Sequence, residues 1–564
     1  MKYTKLVLSL GVVLALASCK TTQKTATTVA TPKIITSTEG VVAKKGKMTE
    51  EEIRKWPHMD IFTDSVPGMS LDKAYDFVKN KTPKTVIVGI VDSGVDIEHE
   101  DLKNKIWTNP GEIAGNGKDD DNNGYVDDMH GWNFLGGEKG SEAPEQLEVT
   151  RLVKKLAPKY EGKTEDQIAA SDKKEYEQYL KMKKEVETER QKAEGKYAFY
   201  NGLYNSLKNA DDFLKKQLGK DTYTLEEVQK YADNEVVKPA LMYLPRILSQ
   251  GATVAEAIDQ IKGGVDYFKS KINMYNLDFK GRVTGDNPDD WNDKPGYGNN
   301  IVLGAGPSEL HGTHVAGIVG AERNNGIGMN GVAKPVVFIV ARAVPDGDEY
   351  DKDVAKAIRY VVDNGAKVVN MSFGKPYSPH SDWVYDAMKY AADHDVLLVK
   401  AAGNDGKNID LAENLHFPTD SPDAPEKEIT DNVVTVGAMT RHFDDKLVAS
   451  FSNYGKNRVD IFAPGLEIYS TVPKDNQYKS IQGTSMASPE VAGVAALIRA
   501  YYPNLTAKQV KQILIDSGIE YHGDVIKPGS KDEKIPFDSM SKKGRILNAY
   551  NALLLADKMS KESK

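Results

Sequence analysis

Short continuous runs of apolar, largely β-branched residues constrain the fold of this chain most. The run 85–91 (TVIVGIV) carries no charged residue, which is typical of a strand buried on both faces of a parallel sheet. Stretches with helical periodicity lie between such runs, as at 353–364 and 381–393. This alternation predicts an α/β fold with a mostly parallel sheet flanked by helices. The other runs are Val336–Ala341, Val368–Met371, Val396–Ala401, Val433–Val436 and Val459–Phe462.

The segment 141–285 differs in composition and predicts a large helical insertion. Of the 50 residues from 151 to 200, 23 are charged. Apolar residues recur every seven positions there, which indicates one buried stripe on a long helix. This stripe consists of Tyr179, Val186, Ala193, Tyr200 and Leu207. The flanking parts 48–140 and 286–556 then form one divided α/β domain, followed by a polar tail at 557–564.

The first residues have the layout of a secretory signal peptide. Two lysines within residues 1–5 precede the apolar run 6–18 (LVLSLGVVLALAS), which is short for a membrane-spanning helix. Residues 16–19 (LASC) resemble the bacterial lipobox, and that resemblance implies that Cys19 is lipidated and becomes the new N-terminus. We therefore expect an exported cell-envelope lipoprotein at the outer membrane or cell surface. The alternative is that Cys19 is an incidental residue of a signal peptide that is cut elsewhere.

The segment that follows the lipobox predicts a flexible tether. Residues 20–47 are rich in Thr, Lys, Ala and Val and have no amphipathic period. Cys19 is the only cysteine, so lipidation would leave no thiol for a disulfide. The formal net charge is −8 and no basic block dominates, so a nucleic-acid partner is not indicated.

Three segments place a reactive side chain at the end of a predicted element. Asp92 follows the buried strand in the sequence VDSGVD, at the carboxyl end where α/β proteins place their sites. His311 stands in HGTHVAG, where small apolar residues suit a tightly packed helix. Ser485 stands in GTSMASP, and Pro489 is tolerated only near a helix start. Ser485 is therefore expected at a helix N-terminus, where backbone N–H groups favour an anion.

These three segments resemble the active-site signatures of the subtilisin-like serine proteases, the subtilases, and they occur in that family's order of Asp, His and Ser. Two further blocks resemble the same family. Residues 369–374 (VNMSFG) are similar to its substrate-binding strand, and residues 401–404 (AAGN) to the segment with its oxyanion-hole asparagine. The resemblance covers about residues 84–110 and 297–516.

The resemblance implies a serine endopeptidase that cleaves proteins through an acyl-enzyme on Ser485. His311 would accept the serine proton and later return it to the leaving amine, while Asp92 would orient the imidazole and stabilise its charged form. Asn404 and the Ser485 N–H would bind the oxyanion. An extended protein or peptide substrate would pair with the segment 372–374, and this segment and the segment 401–403 would together shape the first specificity pocket. These segments are Ser372, Phe373 and Gly374, and Ala401, Ala402 and Gly403.

Two places suggest structural calcium, and no catalytic cofactor is expected. The loop 117–128 (GKDDDNNGYVDD) resembles the start of an EF-hand loop, although His130 stands where that loop requires Glu. Its candidate ligands are Asp119, Asp121, Asn123 and Asp127. The alternative is a solvated acidic turn. The second site is implied by the family resemblance alone and uses Asp101 and Asn325.

The insertion separates Asp92 from His311 much farther than in compact subtilases. It would cover the cleft, guide substrates or bind a protein partner, or it is a surface elaboration without such a role. Two further hypotheses remain open on the sequence alone. One is a catalytically inert surface-binding protein with the insertion as binding arm, and the other is a processing protease whose insertion selects one partner.

Overall fold

A nine-stranded sheet forms the centre of the protein in a computed structural model that describes residues 33–138, 140–141, 144–249, 253–303 and 310–562. Three two-stranded sheets accompany it within the described residues. The strands are β1 (Val86–Asp92), β2 (Gly131–Asn133), β3 (Gly136–Gly137), β4 (Gly140–Ser141), β5 (Val336–Arg342), β6 (Val368–Met371), β7 (Leu397–Ala401), β8 (Val433–Met439), β9 (Ile461–Pro464), β10 (Ile468–Val472), β11 (Gln477–Ile481), β12 (Ile519–Glu520), β13 (Asp524–Ile526), β14 (Lys534–Pro536) and β15 (Arg545–Ile546).

The central sheet is mostly parallel, which confirms the predicted fold class. Its strand order is β12-β15-β9-β8-β7-β6-β1-β5-β2, and only the pair β12–β15 is antiparallel. Strand β1 lies between β5 and β6, with Val88 opposite Phe338 on one side and Val368 on the other. The carboxyl ends of β1, β6 and β7 therefore meet at one edge of the sheet.

Helices cover both faces of this sheet. The described α-helices are α1 (Glu50–Lys55), α2 (Ile61–Asp64), α3 (Leu71–Val78), α4 (Glu148–Tyr160), α5 (Lys173–Leu218), α6 (Leu225–Gln229), α7 (Leu244–Ser249), α8 (Val254–Met274), α9 (Leu310–Gly320), α10 (Asp351–Asp363), α11 (Ser381–Asp393), α12 (Thr484–Tyr501), α13 (Ala507–Asp516) and α14 (Ala549–Glu562).

Strand β1 shows why the apolar runs have no polar face. Val88 and Ile90 pack into the larger core, which α3, α9, α12, α13 and α14 share, whereas Val91 packs into the core under α10 and α11. Full burial of such a side chain is worth about 1.5–3 kcal/mol. A polar residue on either face of the strand would lose this energy and bury an unsatisfied group.

The predicted helical insertion contains α4 to α8. Helix α5 has 46 residues, and it runs through Gly195 and Gly202 without interruption. Four of the five residues in its predicted stripe are buried, namely Tyr179, Val186, Ala193 and Leu207. The N-terminal half of α5 packs on α4, and the C-terminal half forms a small separate core with α6, α7 and α8. Each half of the insertion thus buries its own apolar stripe.

A buried ion-pair group joins this insertion to the α/β domain. Lys375 follows the predicted substrate strand, and its ammonium lies 2.9 Å from carboxylate oxygens of both Glu148 and Asp351. It also donates to the Glu349 carbonyl at 2.7 Å. Burial opposes the charge of Glu148, but Lys375 and Arg151 outweigh that effect and lower the pKa of its carboxyl. Helix α4 is thereby held against the segment that follows β6.

The N-terminal residues divide between described and undescribed parts. Residues 1–32 lie outside the described structure, so Cys19, the signal peptide and the first part of the predicted tether, residues 20–32, have no structural account. Residues 34–47 contain no helix or strand, but Thr36 O accepts from the Glu520 N–H and Ile35 O from the Asn551 side chain, both at 2.8 Å. Within the described part of the chain, no helix is both long and apolar enough to cross a membrane.

Two adjacent glycines in α8 offer a matched test of how this helix packs on α5. A Cβ on Gly264 would lie 2.7 Å from the Tyr200 ring, whereas a Cβ on Gly263 would meet nothing within 4 Å. Gly263→Ala should therefore raise the free energy of unfolding by about 0.5–1 kcal/mol, the usual gain for Gly→Ala in a helix. Gly264→Ala should lose that gain because Tyr200 must move away from Phe268, on which it stacks. Urea unfolding followed by circular dichroism measures both, and equal stabilisation would contradict the packing.

Candidate active site

Asp92 ends β1 with its side chain buried at the carboxyl edge of the sheet. Its Oδ1 accepts hydrogen bonds from the Ser93 N–H and from His311 Nδ1, each at 2.7 Å. Its backbone carbonyl accepts from the N–H groups of Ala343 and Val344, which fixes the strand end. Because a buried carboxylate needs hydrogen-bond donors, these contacts define where its partner histidine lies.

His311 is the second residue of α9, and a glycine pair brings this helix next to β1. A Cβ on Gly312 would lie only 2.1 Å from the Gly94 carbonyl oxygen, so only glycine permits this approach. The Gly312 N–H also donates to Ser93 Oγ at 3.2 Å. The approach places His311 against Asp92 although the two residues are 219 positions apart.

The His311 imidazole is more basic than an ordinary histidine. Burial opposes its charged form, but the charge of Asp92 and the hydrogen bond to it outweigh burial and raise the pKa of His311. Its side chain remains about one-third exposed, at 33%. Because Nδ1 faces Asp92, Nε2 is the ring nitrogen that remains for a substrate or nucleophile.

Ser485 lies in the first turn of α12, and its hydroxyl donates to the Ser372 carbonyl at 3.0 Å. Among the described residues, no hydrogen bond joins Ser485 to His311. The serine hydroxyl turns freely about its Cα–Cβ bond, and catalytic hydrogen bonds often tighten only when substrate binds. Ser485 N–H belongs to the first helical turn, whose N–H groups have no acceptor within the helix.

A buried hydrogen-bond chain fixes α12 against the end of β6. Ser372 Oγ donates to the Ser485 carbonyl, and it accepts from the Asn370 amide, each at 2.8 Å. Ser488 Oγ donates to the other side of the same amide at 2.8 Å. The sequence analysis missed Asn370 and Ser488, although both lie within the quoted motifs VNMSFG and GTSMASP. Their pairing requires two segments far apart in the chain, which no local pattern reveals.

Asn404 follows the second substrate segment, and its amide has a fixed orientation. Its Oδ1 accepts from both the N–H and the hydroxyl of Thr484, at 2.8 and 3.0 Å. Thr484 Oγ1 in turn accepts from the Gly403 N–H at 3.1 Å. With its oxygen engaged, Asn404 has its NH₂ group available as a donor beside the first turn of α12. This is the arrangement that an oxyanion site requires.

The two predicted substrate segments lie side by side. One follows β6 and the other ends β7, and these strands are parallel neighbours. The side chains of Ser372, Phe373, Ala401 and Ala402 are buried. Gly374 and Gly403 have no side chain and contribute only backbone. The structure therefore brings all ten predicted catalytic and substrate residues to one edge of the sheet.

The predicted Asp101 and Asn325 pair also lies together, with Asn325 Nδ2 2.5 Å from Asp101 Oδ1. The other carboxylate oxygen accepts from the Met329 N–H and the Tyr478 hydroxyl, at 3.1 and 3.3 Å. Both oxygens thus face hydrogen-bond donors. A calcium ion there would have to replace these donors with oxygen ligands.

The acidic loop gathers carboxylates in a different combination from the predicted one. Oxygens of Glu112, Asp119 and Asp121 lie within 4.8 Å of one another, and the sequence analysis missed Glu112. Asn123 stays near them, since its amide donates to Asp121 Oδ2 at 3.1 Å. Asp127 instead accepts from the backbone N–H groups of Asn116 and Gly117. Carboxylate oxygens are ligands that calcium prefers, but each oxygen of these three residues already accepts a hydrogen bond, so an ion here would also have to replace donors.

Comparisons with known proteins agree with these motifs. The family model described as the subtilase family, peptidase S8, matches residues 83–534. A thermophilic serine proteinase from Bacillus sp. (strain AK1) is 38% identical over 244 residues, which are 43% of this chain and 52% of that protein. Subtilisin-like protease 1 from Plasmodium falciparum is 29% identical over 329 residues, 54% of this chain and 44% of that one.

Two further similarities complete this comparison. Subtilisin DY from Bacillus licheniformis is 38% identical over 205 residues, which are 36% of this chain and 68% of that protein. A solved protease structure from Pseudoalteromonas arctica aligns with 90% of this chain and 97% of its own at 20% identity, with a TM-score of 0.45. The chain spans about half the length of the first two relatives named above. Because the family model matches well over half of its 564 residues, the chain belongs to the subtilase family.

Proposed function

We propose that this protein is a serine endopeptidase of the cell envelope that hydrolyses peptide bonds in protein substrates. The observation that carries the proposal is the meeting of Asp92, His311, Ser485 and Asn404 at the carboxyl edge of the sheet. The subtilase membership and the protease names of the relatives support the same activity. The assignment of roles to individual residues belongs to the proposal.

In the proposed reaction, Ser485 Oγ attacks the substrate carbonyl carbon while His311 Nε2 takes the hydroxyl proton. The C–N bond then breaks, and His311 returns the proton to the leaving amine. A water molecule next attacks the acyl carbon and passes a proton to His311; the ester C–O bond then breaks, His311 returns the proton to Ser485 Oγ, and the acid product leaves. Asp92 holds the Nδ1–H at 2.7 Å and stabilises the imidazolium formed in each step.

The oxyanion of each tetrahedral intermediate lies between the Asn404 amide and the Ser485 N–H. Thr484 prevents the amide from rotating, so the NH₂ group is oriented before substrate binds. Preorganised donors of this kind do not have to reorient as charge develops, and the removal of one typically costs roughly 100- to 1,000-fold in rate.

An inert surface-binding protein is the second candidate, and one observation favours it. The Ser485 hydroxyl is engaged with the Ser372 carbonyl and not with His311. Under this alternative the helical insertion is a binding arm for a protein partner. It differs from the endopeptidase proposal in one chemical property, the reactivity of Ser485.

The cellular address and the metal are further parts of the proposal. Residues 16–19 support export as a lipoprotein with Cys19 as the lipid attachment site and the outer membrane or cell surface as location. Glu112, Asp119 and Asp121 would hold a structural calcium ion, with Asn123 beside them. Such an ion would offset the repulsion between the carboxylates and takes no part in the proposed reaction.

The reactivity of Ser485 decides between the two candidate functions. We expect a fluorophosphonate probe to label the wild-type protein and to fail on Ser485→Ala, because only an activated serine attacks phosphorus. Labelling and hydrolysis of a denatured protein substrate measure the activity. Ser480→Ala changes an exposed serine of β11 and should be labelled like the wild type. A folded wild-type protein that takes no label would refute the endopeptidase proposal.

The pH profile tests the role of Asp92. His311 acts as base only when neutral, so kcat/KM should rise with pH through a pKa above about 6.5, the ordinary histidine value. Asp92→Asn removes the carboxylate charge that raises this pKa. The midpoint of the pH profile of its residual activity should therefore lie at a lower pH than in the wild type. Initial rates between pH 5 and 10 measure both midpoints. A wild-type midpoint at or below 6.5, or no shift in the variant, would contradict the assigned pair.

Fatty-acid labelling tests the anchor. Cys19→Ser should abolish incorporation of an alkyne fatty acid and move the protein from the membrane fraction to the soluble fraction, because the acyl chains attach through the sulfur. A matched control carries both Cys19→Ser and Ser37→Cys, which restores a thiol outside the lipobox and should remain unlabelled. Equal membrane association of wild type and Cys19→Ser would refute the lipoprotein assignment.

A further inference from the structure

His416 lies across the space between the two substrate segments. A Cβ on Gly374 would lie 2.1 Å from ring atom Cε1, and a Cβ on Gly403 would lie 2.8 Å from Nε2. Two adjacent atoms of the imidazole therefore contact the two glycines, and the Asn453 amide lies beside the ring at Gly403, 2.3 Å from that Cβ position. The ring fills the gap between the two glycines, and neither position leaves room for a side chain.

Backbone hydrogen bonds hold the ring in this position. Phe417, the next residue, exchanges two hydrogen bonds with Lys375, at 2.8 and 3.0 Å. Lys375 is in turn fixed by its buried ion pairs to Glu148 and Asp351. The segment that carries the His416 ring is therefore held against the residue that follows Gly374.

The proposed reaction indicates which part of a substrate would lie in the gap between the two segments. Ser372 contacts the Ser485 hydroxyl, and Asn404 directly follows Gly403. A substrate carbonyl held between Ser485 and Asn404 therefore lies at the mouth of the gap between the two segments. The side chain of the residue that supplies this carbonyl would then enter the gap and meet the His416 ring.

We propose that His416 closes this pocket and restricts the residue before the scissile bond to small side chains such as Gly, Ala and Ser. The inference rests on the proposed endopeptidase function and adds its substrate class. A large aromatic or aliphatic side chain would have to occupy the volume of the imidazole, and overlap of that kind is costly in a packed site. A small side chain would not need that volume.

The charge of the ring supports selection by size. Burial, together with the nearby Lys400 ammonium, lowers the pKa of His416 to about 3, so the ring is neutral. A neutral imidazole offers no full charge to an acidic or basic substrate side chain. Its main effect on the pocket is therefore its volume.

The test compares full-length wild type with two substitutions at this position. The substrates are peptides that differ only in the residue before the cleaved bond, Ala against Phe. Wild type should prefer Ala, and His416→Gly should raise the ratio of kcat/KM for Phe over Ala by at least about tenfold, since even one methylene changes such ratios by about 10- to 200-fold. His416→Phe keeps the ring volume without the nitrogens and should keep the preference for Ala. His522→Gly, a change at an exposed ring beside Glu520, should leave the ratio at the wild-type value.

The outcomes separate this inference from the function on which it rests. Fluorophosphonate labelling of Ser485 does not depend on the residue that enters the pocket. A labelled wild type that cleaves after Phe as readily as after Ala overturns the inference and leaves the endopeptidase proposal standing. An unchanged ratio in His416→Gly also overturns the inference. Absence of both labelling and cleavage in the folded protein overturns both proposals.

Discussion

The contact between Asp92 and His311 is the constraint on which the rest of the site depends. It joins a strand end to a helix start across 219 positions, and it requires the Gly312 backbone to lie against the Gly94 carbonyl. A buried carboxylate is costly without donors, so the imidazole and the Ser93 N–H make this strand end stable as well as reactive. The helical insertion leaves and rejoins the fold between these residues without disturbing their contact.

The insertion is attached where the substrate is expected to bind. The Lys375 ammonium is buried with the carboxylates of Glu148 and Asp351, and breaking such a pair typically costs about 3–5 kcal/mol because it leaves an uncompensated charge. Lys375 also directly follows Gly374 and pairs with Phe417. The same residue thus contacts the insertion, one predicted substrate segment and the segment that carries His416, so a displacement of α4 would be transmitted to the surroundings of His416.

The sequence predicted the parts of this molecule that local patterns encode. The apolar run at β1 revealed a strand buried on both faces, and the motifs around Asp92, His311 and Ser485 indicated the family that was later found. The rest depends on side chains that meet only in the folded chain. His416 lies in an unremarkable stretch, and its place between two distant glycines has no local signature. Glu112 and the Lys375 ion pairs escaped prediction for the same reason.

Three histidines near this edge of the sheet show how surroundings assign different roles to one side chain. Burial lowers the pKa of His314 and of His416 to about 3, and the Nδ1 atom of each lacks a hydrogen-bond partner among the described residues. Burial also opposes the charged form of His311, but Asp92 outweighs that effect and raises the pKa of His311. Of these three rings, His311 is therefore the one suited to take up a proton in the proposed reaction. The other two rings remain neutral and can act through packing and neutral hydrogen bonds alone.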